Sequence, residues 1–375
     1  MKPKTLNIVF VIILMSILIV PPVMTDSIGG MASEQENRML AARPSVSEIR
    51  VDPQAFIRQA DDWFSDNIGF RGSMIKLYKQ LDRLETQGQY ADGQYIYLIG
   101  QEGHRYFAGY EGFLISKFQG RPILTENRLD GLADELNQTK ESLEGRGISF
   151  IVMFCTDKET VYPEHYPKTI VQGPEPAQID ILTEALIDRT DVDIFNTREC
   201  LAAEKEDYLV YNKSEGDVGH WNEIGAFFVY RELMTHISAF VPGIEPFGTE
   251  DIEISSGEKG LPEVSLKQKP AFRQLGPEFF DDVDLKRPFV KQNAAFENDD
   301  PSLPTILIMC DSFGETLWDF IPQHFAKTVL IHYVNIVHLP EYLDLYDPDI
   351  VVLEIAERQF GVYTDIDKPQ LANRE

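Results

Sequence analysis

The chain has 375 residues, enough for one large domain or two ordinary ones, and its 43% hydrophobic and 11% aromatic content excludes wholesale disorder. Its 61 acidic and 34 basic residues leave a formal charge of -27. That balance excludes binding to nucleic acid or an anionic membrane surface through a basic face; it suits a neutral or cationic partner, or simply a soluble surface.

The chain opens with Lys2 and Lys4, then runs from Leu6 to Val20 without a charge before Pro21 and Pro22. Two lysines ahead of an apolar run predict that the remainder of the chain lies outside the cytoplasm. The run is short for a span. An uncleaved signal anchor over 1–24 is the expectation and a cleaved signal peptide its rival, with no small-x-small cleavage site close behind. Residues 25–52, with Gly29, Gly30 and Pro44, read as a linker. The globular part is expected over 53–375.

Within it, Phe56, Trp63, Phe64, Ile68, Phe70, Met74, Leu77 and Leu81 recur at helical spacing and predict helical segments over 53–84. A strand comes next over 94–100, then a turn at Glu102 and Gly103, and a second short strand over 105–107. Beyond these lie a helix over 125–145, capped by Thr125 and stopped by Gly145 or Gly147, and a strand over 148–154. A helix over 179–189, a strand over 192–195, a helix over 197–204 and a strand over 208–211 lead to a long helix over 223–240. The stretch 241–303, rich in Gly, Pro and charge, reads as an insertion with a few strands. The chain then continues as a strand over 304–310, a helix over 313–321, a strand over 328–332, a helix over 339–345 and a strand over 350–354. This alternation predicts a mostly parallel sheet between helices. Cys155, Cys200 and Cys310 make no disulfide framework, and without a CxxC or a Cys/His cluster no metal or cofactor is expected.

Functional groups of parallel α/β sheets gather at the carboxyl ends of strands. Ser312 falls two residues past the apolar run 304–310 and opens a predicted helix, so its own amide and that of Phe313 are candidate oxyanion donors. The alternative is that Asp311 or Ser312 merely caps the helix. His220 lies in a polar turn three residues after Asp217, where the acid can fix the imidazole tautomer while the other nitrogen accepts a serine proton. The alternative there is a surface turn with a histidine beside Trp221. Lys158 could contact an anionic sugar group or be a solvated loop lysine, and Glu357 with Arg358 could close the site's rim or form a surface ion pair. Aromatic residues between Tyr90 and Phe113 could stack on sugars or belong to the core. His332 and His338 have no acid or metal-like spacing around them and are taken as structural.

Asp311-Ser312-Phe313 after a hydrophobic strand resembles the Gly-Asp-Ser block of SGNH hydrolases. His220-Trp221-Asn222 with Gly225 and Ala226 resembles the Asp-x-His-Trp-Asn-x-x-Gly-Ala signature of the alginate O-acetylation proteins of AlgJ/AlgX type and of related DHHW-motif cell-surface proteins. Ile68 to Arg71, Gly100 and Gly103 with Tyr106 and Phe107, Asp157-Lys158 with Tyr162-Pro163, and Pro348-Asp349 with Glu357-Arg358 are similar to further stretches of that family. The resemblance implies a three-layer α/β/α SGNH hydrolase-like fold. It also implies a Ser-His-Asp triad of Ser312, His220 and Asp217, with Trp221 and Asn222 bracing the histidine turn. The implied activity is acetyl transfer to an exported or cell-surface polysaccharide, the acetyl donor being a membrane-bound O-acyltransferase. Esterase activity, or a degenerate scaffold role in polysaccharide export, are the alternatives. Two positions depart from the family pattern: Val218 stands where its acid usually sits, and Cys310 replaces the glycine before Asp-Ser.

Overall fold

A computed structural model of the protein describes residues 10, 15–16, 19–25, 32–33, 38–39, 41–46, 53–74, 77, 89–91, 95–107, 114–120, 124–280 and 293–360. Most of the apolar run 6–20, much of the expected linker and the end of the helical segment 53–84 lie outside these residues. Among the described residues no helix is long and apolar enough to cross a membrane.

The chain divides into two compact units, 1–88 and 89–375. In the first, helix α1 (Pro53–Asn67) starts on a proline, whose missing N–H costs nothing in a first turn. Asn67 Nδ2 holds its far end by donating to the carbonyls of Trp63 and Ala41, each at 2.8 Å.

The second unit opens with a three-stranded antiparallel sheet of β1 (Gln89–Ala91), β2 (Tyr95–Ile99) and β3 (Arg105–Phe107). A short helix α2 (Leu114–Phe118) and α3 (Glu126–Glu144) come after it, and Gly147 at φ 78° ends the turn after α3. The chain then alternates β4 (Ser149–Cys155), α4 (Lys158–Val161), α5 (Gln178–Ile187), β5 (Asp193–Asn196), α6 (Arg198–Glu204) and α7 (Glu223–Ser238). A hairpin of β6 (Ile252–Ser256) and β7 (Pro262–Leu266) precedes β8 (Phe272–Gln274), β9 (Ala294–Asn298), β10 (Thr305–Cys310) and β11 (Lys327–His332). Helix α8 (Leu339–Tyr346) and β12 (Ile350–Ala356) complete the order.

Seven strands form the main sheet in the order β8-β9-β11-β10-β12-β4-β5. The five from β11 to β5 are parallel, and β9 and β8 extend the sheet antiparallel. Alternation along each strand sends side chains to two cores. Ile306, Ile308, Ile350, Val352, Ile151 and Met153 pack with α7 on one face. Leu307, Met309, Val351, Leu353, Phe150 and Val152 pack with α3, α5 and α8 on the other. This is a three-layer α/β architecture, with a mostly parallel sheet between helical layers.

Two expected elements differ. No strand forms over 208–211; one bridge joins Tyr211 to Trp221. Two of its backbone groups are met by side chains, Val210 N–H by Tyr162 Oη at 3.2 Å and Leu209 carbonyl by Asn222 Nδ2 at 2.5 Å, while the Val210 carbonyl accepts the Asn222 N–H at 3.1 Å. In place of a helix over 313–321 there are two 3₁₀ turns, Gly314–Asp319 and Ile321–His324. Pro322 explains this: it offers no N–H to an α-helical ladder, and it disfavours the α conformation at Ile321. The stretch 241–303 supplies the β6-β7 hairpin and also β8 and β9, which belong to the main sheet.

Candidate active site

β10 ends at Cys310, and the chain turns sharply through Asp311-Ser312-Phe313. Asp311 is buried and its carboxylate holds the turn from below: Oδ1 accepts the Phe313 N–H and Oδ2 the Ala356 N–H, both at 2.9 Å. Ser312 is exposed at the top. Phe313 is buried, its ring 4.6 Å from His220 and 4.7 Å from Trp221, edge to face. Because Asp311 occupies the Phe313 amide, that amide is not a free oxyanion donor in this arrangement, contrary to expectation. The Ser312 N–H meets no acceptor among the described residues. With a 3₁₀ turn in place of the expected helix, the helix-dipole argument for the serine also falls away.

The histidine turn precedes α7. Asp217 Oδ1 accepts the N–H groups of Gly219 at 2.8 Å and His220 at 3.2 Å, an Asx-type turn that places its second oxygen beside the imidazole. His220 Nδ1 donates to Asp217 Oδ2 at 2.6 Å, which leaves Nε2 as the acceptor for the Ser312 hydroxyl at 2.8 Å. Ser312, His220 and Asp217 are therefore hydrogen-bonded in series, the link from His220 to Ser312 spanning 92 residues of chain. Burial pushes the Asp217 carboxyl up, but the hydrogen bond and charge of His220 outweigh it. Together with the two backbone N–H groups they hold it at about 2. Asn222 caps α7, its Oδ1 accepting the Gly225 N–H at 3.0 Å, and Trp221 Nε1 donates to Thr316 Oγ1 at 2.5 Å. The last bond ties the histidine turn to the chain just past the serine.

Beneath both turns lies a set of buried charges. Arg358, directly after β12, donates from Nε to Asp157 Oδ1 at 2.7 Å and from Nη2 to the Gly219 carbonyl, and its guanidinium lies 4.9 Å from the Phe313 ring centre. Lys158 Nζ donates to the carbonyls of Arg105 at 2.7 Å, Asn212 at 2.5 Å and Lys213 at 3.1 Å, while burial draws its pKa down to about 7. Substrate contact or a solvated surface position was the expectation for both cations. Both are instead buried, 1% exposed for Lys158 and 6% for Arg358, with their donors turned to carbonyls and to Asp157. Glu357 is buried too, accepting the Asp157 N–H at 2.9 Å, so 357–358 is no surface pair. The roles of Thr316 and Glu354 were missed in the sequence, where Asp157 stood only as part of a family-like stretch. The available signal was a carboxylate inside or just past an otherwise apolar strand, Glu354 in β12 and Asp157 after β4.

A family model described as SGNH hydrolase-like domain, acetyltransferase AlgX, matches residues 117–330. The chain belongs to this family. Both turns lie within the match. No curated protein matches the sequence. PatB1 of Bacillus cereus is a similar solved structure, at 13% identity over 71% of this chain and 95% of that one, with a TM-score of 0.50. A DHHW family protein from Eubacterium siraeum has 13% identity over 72% and 92%, TM-score 0.47. The O-acetyltransferase domain of Pseudomonas putida AlgJ has 15% identity over 72% and 95%, TM-score 0.44. At such identities PatB1 speaks for the fold alone.

For an AlgX-type domain the two departures now have structural readings. Val218 is 3% exposed, within the core, while Asp217 at the neighbouring position reaches the histidine. Cys310 is buried under the serine turn, where a Cβ placed on Gly314 would meet its Sγ at 2.9 Å, so the cysteine fits because Gly314 has no side chain. Among the described residues no group of His, Cys, Asp and Glu could hold a metal ion.

Proposed function

We propose that the protein is an O-acetyltransferase for an exported or cell-surface polysaccharide, with Ser312 as nucleophile, His220 as general base and Asp217 as its orienting acid. The observation that carries this reading is the continuous hydrogen-bond series from Ser312 Oγ through His220 to Asp217 in a chain of the AlgX-type family. Ser312 Oγ attacks the acetyl carbonyl carbon as its proton passes to His220 Nε2. The imidazolium, stabilised by Asp217, returns that proton to the leaving group and an acetyl-serine ester remains. A sugar hydroxyl then gives its proton to Nε2 and attacks the ester, and Ser312 leaves with the proton. The Ser312 N–H is the backbone donor free to hold the oxyanion of either step. An exposed serine suits an acceptor that is a polymer. The apolar run after Lys2 and Lys4 supports a location outside the cytoplasm, held at the membrane, and a membrane-bound O-acyltransferase would supply the acetyl group.

The test is acetate release from p-nitrophenyl acetate by the wild type, Ser312→Ala and His220→Ala, repeated with oligosaccharide acceptors. Activity lost in both variants, with acetyl found on the sugar, supports the proposal. Acetate alone in the presence of every acceptor makes the protein an esterase. An inactive, folded wild type makes it a scaffold.

A further inference from the structure

Glu354 lies near the carboxyl end of β12, the strand beside β10, and is 0% exposed. A carboxyl group in that position is costly: desolvating an ionised carboxylate takes several kcal/mol, and apolar side chains fill all the neighbouring strand positions. Its contacts lead in one direction. Oε2 accepts the Asp311 N–H at 2.9 Å and Oε1 accepts the Cys155 thiol at 2.8 Å, with the buried Asp311 carboxyl nearby. Two adjoining buried carboxyls cannot both ionise. Asp311 already accepts two backbone N–H groups, which favour its charged form, so of the two it is Glu354 that keeps its proton. Burial pushes Glu354 well up, in the same sense.

We propose that Glu354 is a positioning residue for the nucleophile: it anchors the Asp311 N–H and so places the Asp311 carboxylate, which through the Phe313 N–H sets the plane of the peptide after Ser312 and aims Ser312 Oγ at His220. The chain of contacts is short and complete. The Phe313 N–H belongs to the peptide that defines ψ of Ser312, so an Asp311 carboxyl free to rotate would release that torsion. No helical hydrogen bond takes over its task, because the first 3₁₀ turn begins only at Gly314. The role rests on the reading of Ser312 as nucleophile, which is tested separately.

The experiment compares the full chain with Glu354→Leu, Glu354→Gln and Asp311→Asn. Kinetics with p-nitrophenyl acetate are measured beside thermal unfolding. Leucine packs well in an apolar core but cannot accept the Asp311 N–H. The expected result is a kcat lowered about 100-fold with KM within twofold, in a variant that still unfolds cooperatively. Glutamine, a neutral isostere, keeps part of the bonding and should stay within about tenfold of the wild type. Asp311→Asn, which disturbs the same link from its other end, should also lower kcat with KM unchanged, and it decides the matter should the leucine variant fail to fold. Wild-type kcat in the folded leucine variant, or equal losses in the leucine and glutamine variants, would overturn the proposal. Should the wild type itself lack Ser312-dependent turnover, the functional reading fails. The positioning role is then read from the ¹⁵N shift of His220 Nε2: moved in Glu354→Leu it supports the role, unmoved it refutes it.

Discussion

Asp157 and Arg358 meet across the carboxyl ends of the neighbouring strands β4 and β12, with both side chains buried. The same guanidinium reaches the Gly219 carbonyl, so a charge pair belonging to the sheet also fixes the turn that carries His220. Removing one partner of a buried pair leaves the other uncompensated, and Asp157→Ala is expected to cost about 3–5 kcal/mol in urea unfolding. The double variant Asp157→Leu, Arg358→Met should recover much of that stability while leaving turnover low, because the Gly219 tether is still missing. Stability and turnover recovering together would show that the pair acts only on the fold.

Asp217 is tested against its neighbour. Asp217→Asn should lower kcat about 1,000- to 10,000-fold, since an amide cannot favour the required tautomer or stabilise the imidazolium. The exchange Asp217→Val with Val218→Asp restores the family's usual spacing in sequence. It should not restore activity, because position 218 is turned into the core. Recovery of activity in the exchanged protein would mean that the turn can rebuild itself around the other acid.

The chemistry was legible because it lies where a strand gives way to a turn: Ser312 two residues after an apolar strand, and His220 just ahead of a long helix. Asp217 could be preferred over a missing acid at 218 because an aspartate three residues back can bond both the turn and the ring. Lys158 and Arg358 were misread for a physical reason. Long cationic side chains are solvated by default, and only tertiary contacts with carbonyls from distant segments bury them. Glu354 was illegible for the converse reason. A glutamate at the end of a strand looks like the point where the strand reaches water, and its burial depends on the serine turn folding over it. The 3₁₀ turns after Ser312 were foreshadowed by Pro322, whose effect on the preceding residues outweighs the helical spacing of Phe313, Leu317 and Phe320.

Gly225, in the first turn of α7, is set against the chain at Val210. A Cβ there would lie 2.3 Å from the Val210 carbonyl oxygen and 2.8 Å from Trp221 Cβ, and the first of these neighbours is backbone that cannot rotate away. Gly225→Ala should therefore destabilise the protein by about 1–3 kcal/mol and displace the adjoining histidine turn. Thermal unfolding with p-nitrophenyl acetate turnover checks both effects. A variant with unchanged Tm would show that the Val210 segment yields freely.

The contribution of Glu357 to stability should fall as pH rises through the weakly acidic range. Burial pushes the Glu357 carboxyl up to about 7, against the pull of Lys117 and the Asp157 N–H, from an ordinary value of 4.5. A raised carboxyl binds its proton more tightly in the folded state. Its contribution is therefore fully present below about pH 4.5 and is lost as pH rises toward 7, on the order of 3 kcal/mol for this group. Asp311, Glu159 and Glu354 are raised by burial too and act in the same sense. Asp217 acts oppositely, its stabilisation present above about 3.8 and lost as pH falls through about 2. His104, His324 and His332, which burial lowers to about 4, act oppositely to the raised carboxyls and lose stability as pH falls below about 6.5, so the Glu357 share is read as a difference between two proteins. Relative to Glu357→Gln, which keeps the side chain's shape without the ionisation, the wild type should lose Tm between about pH 4.5 and 7. Equal slopes in the wild type and Glu357→Gln would show that Glu357 ionises in the folded protein as it does in the unfolded chain.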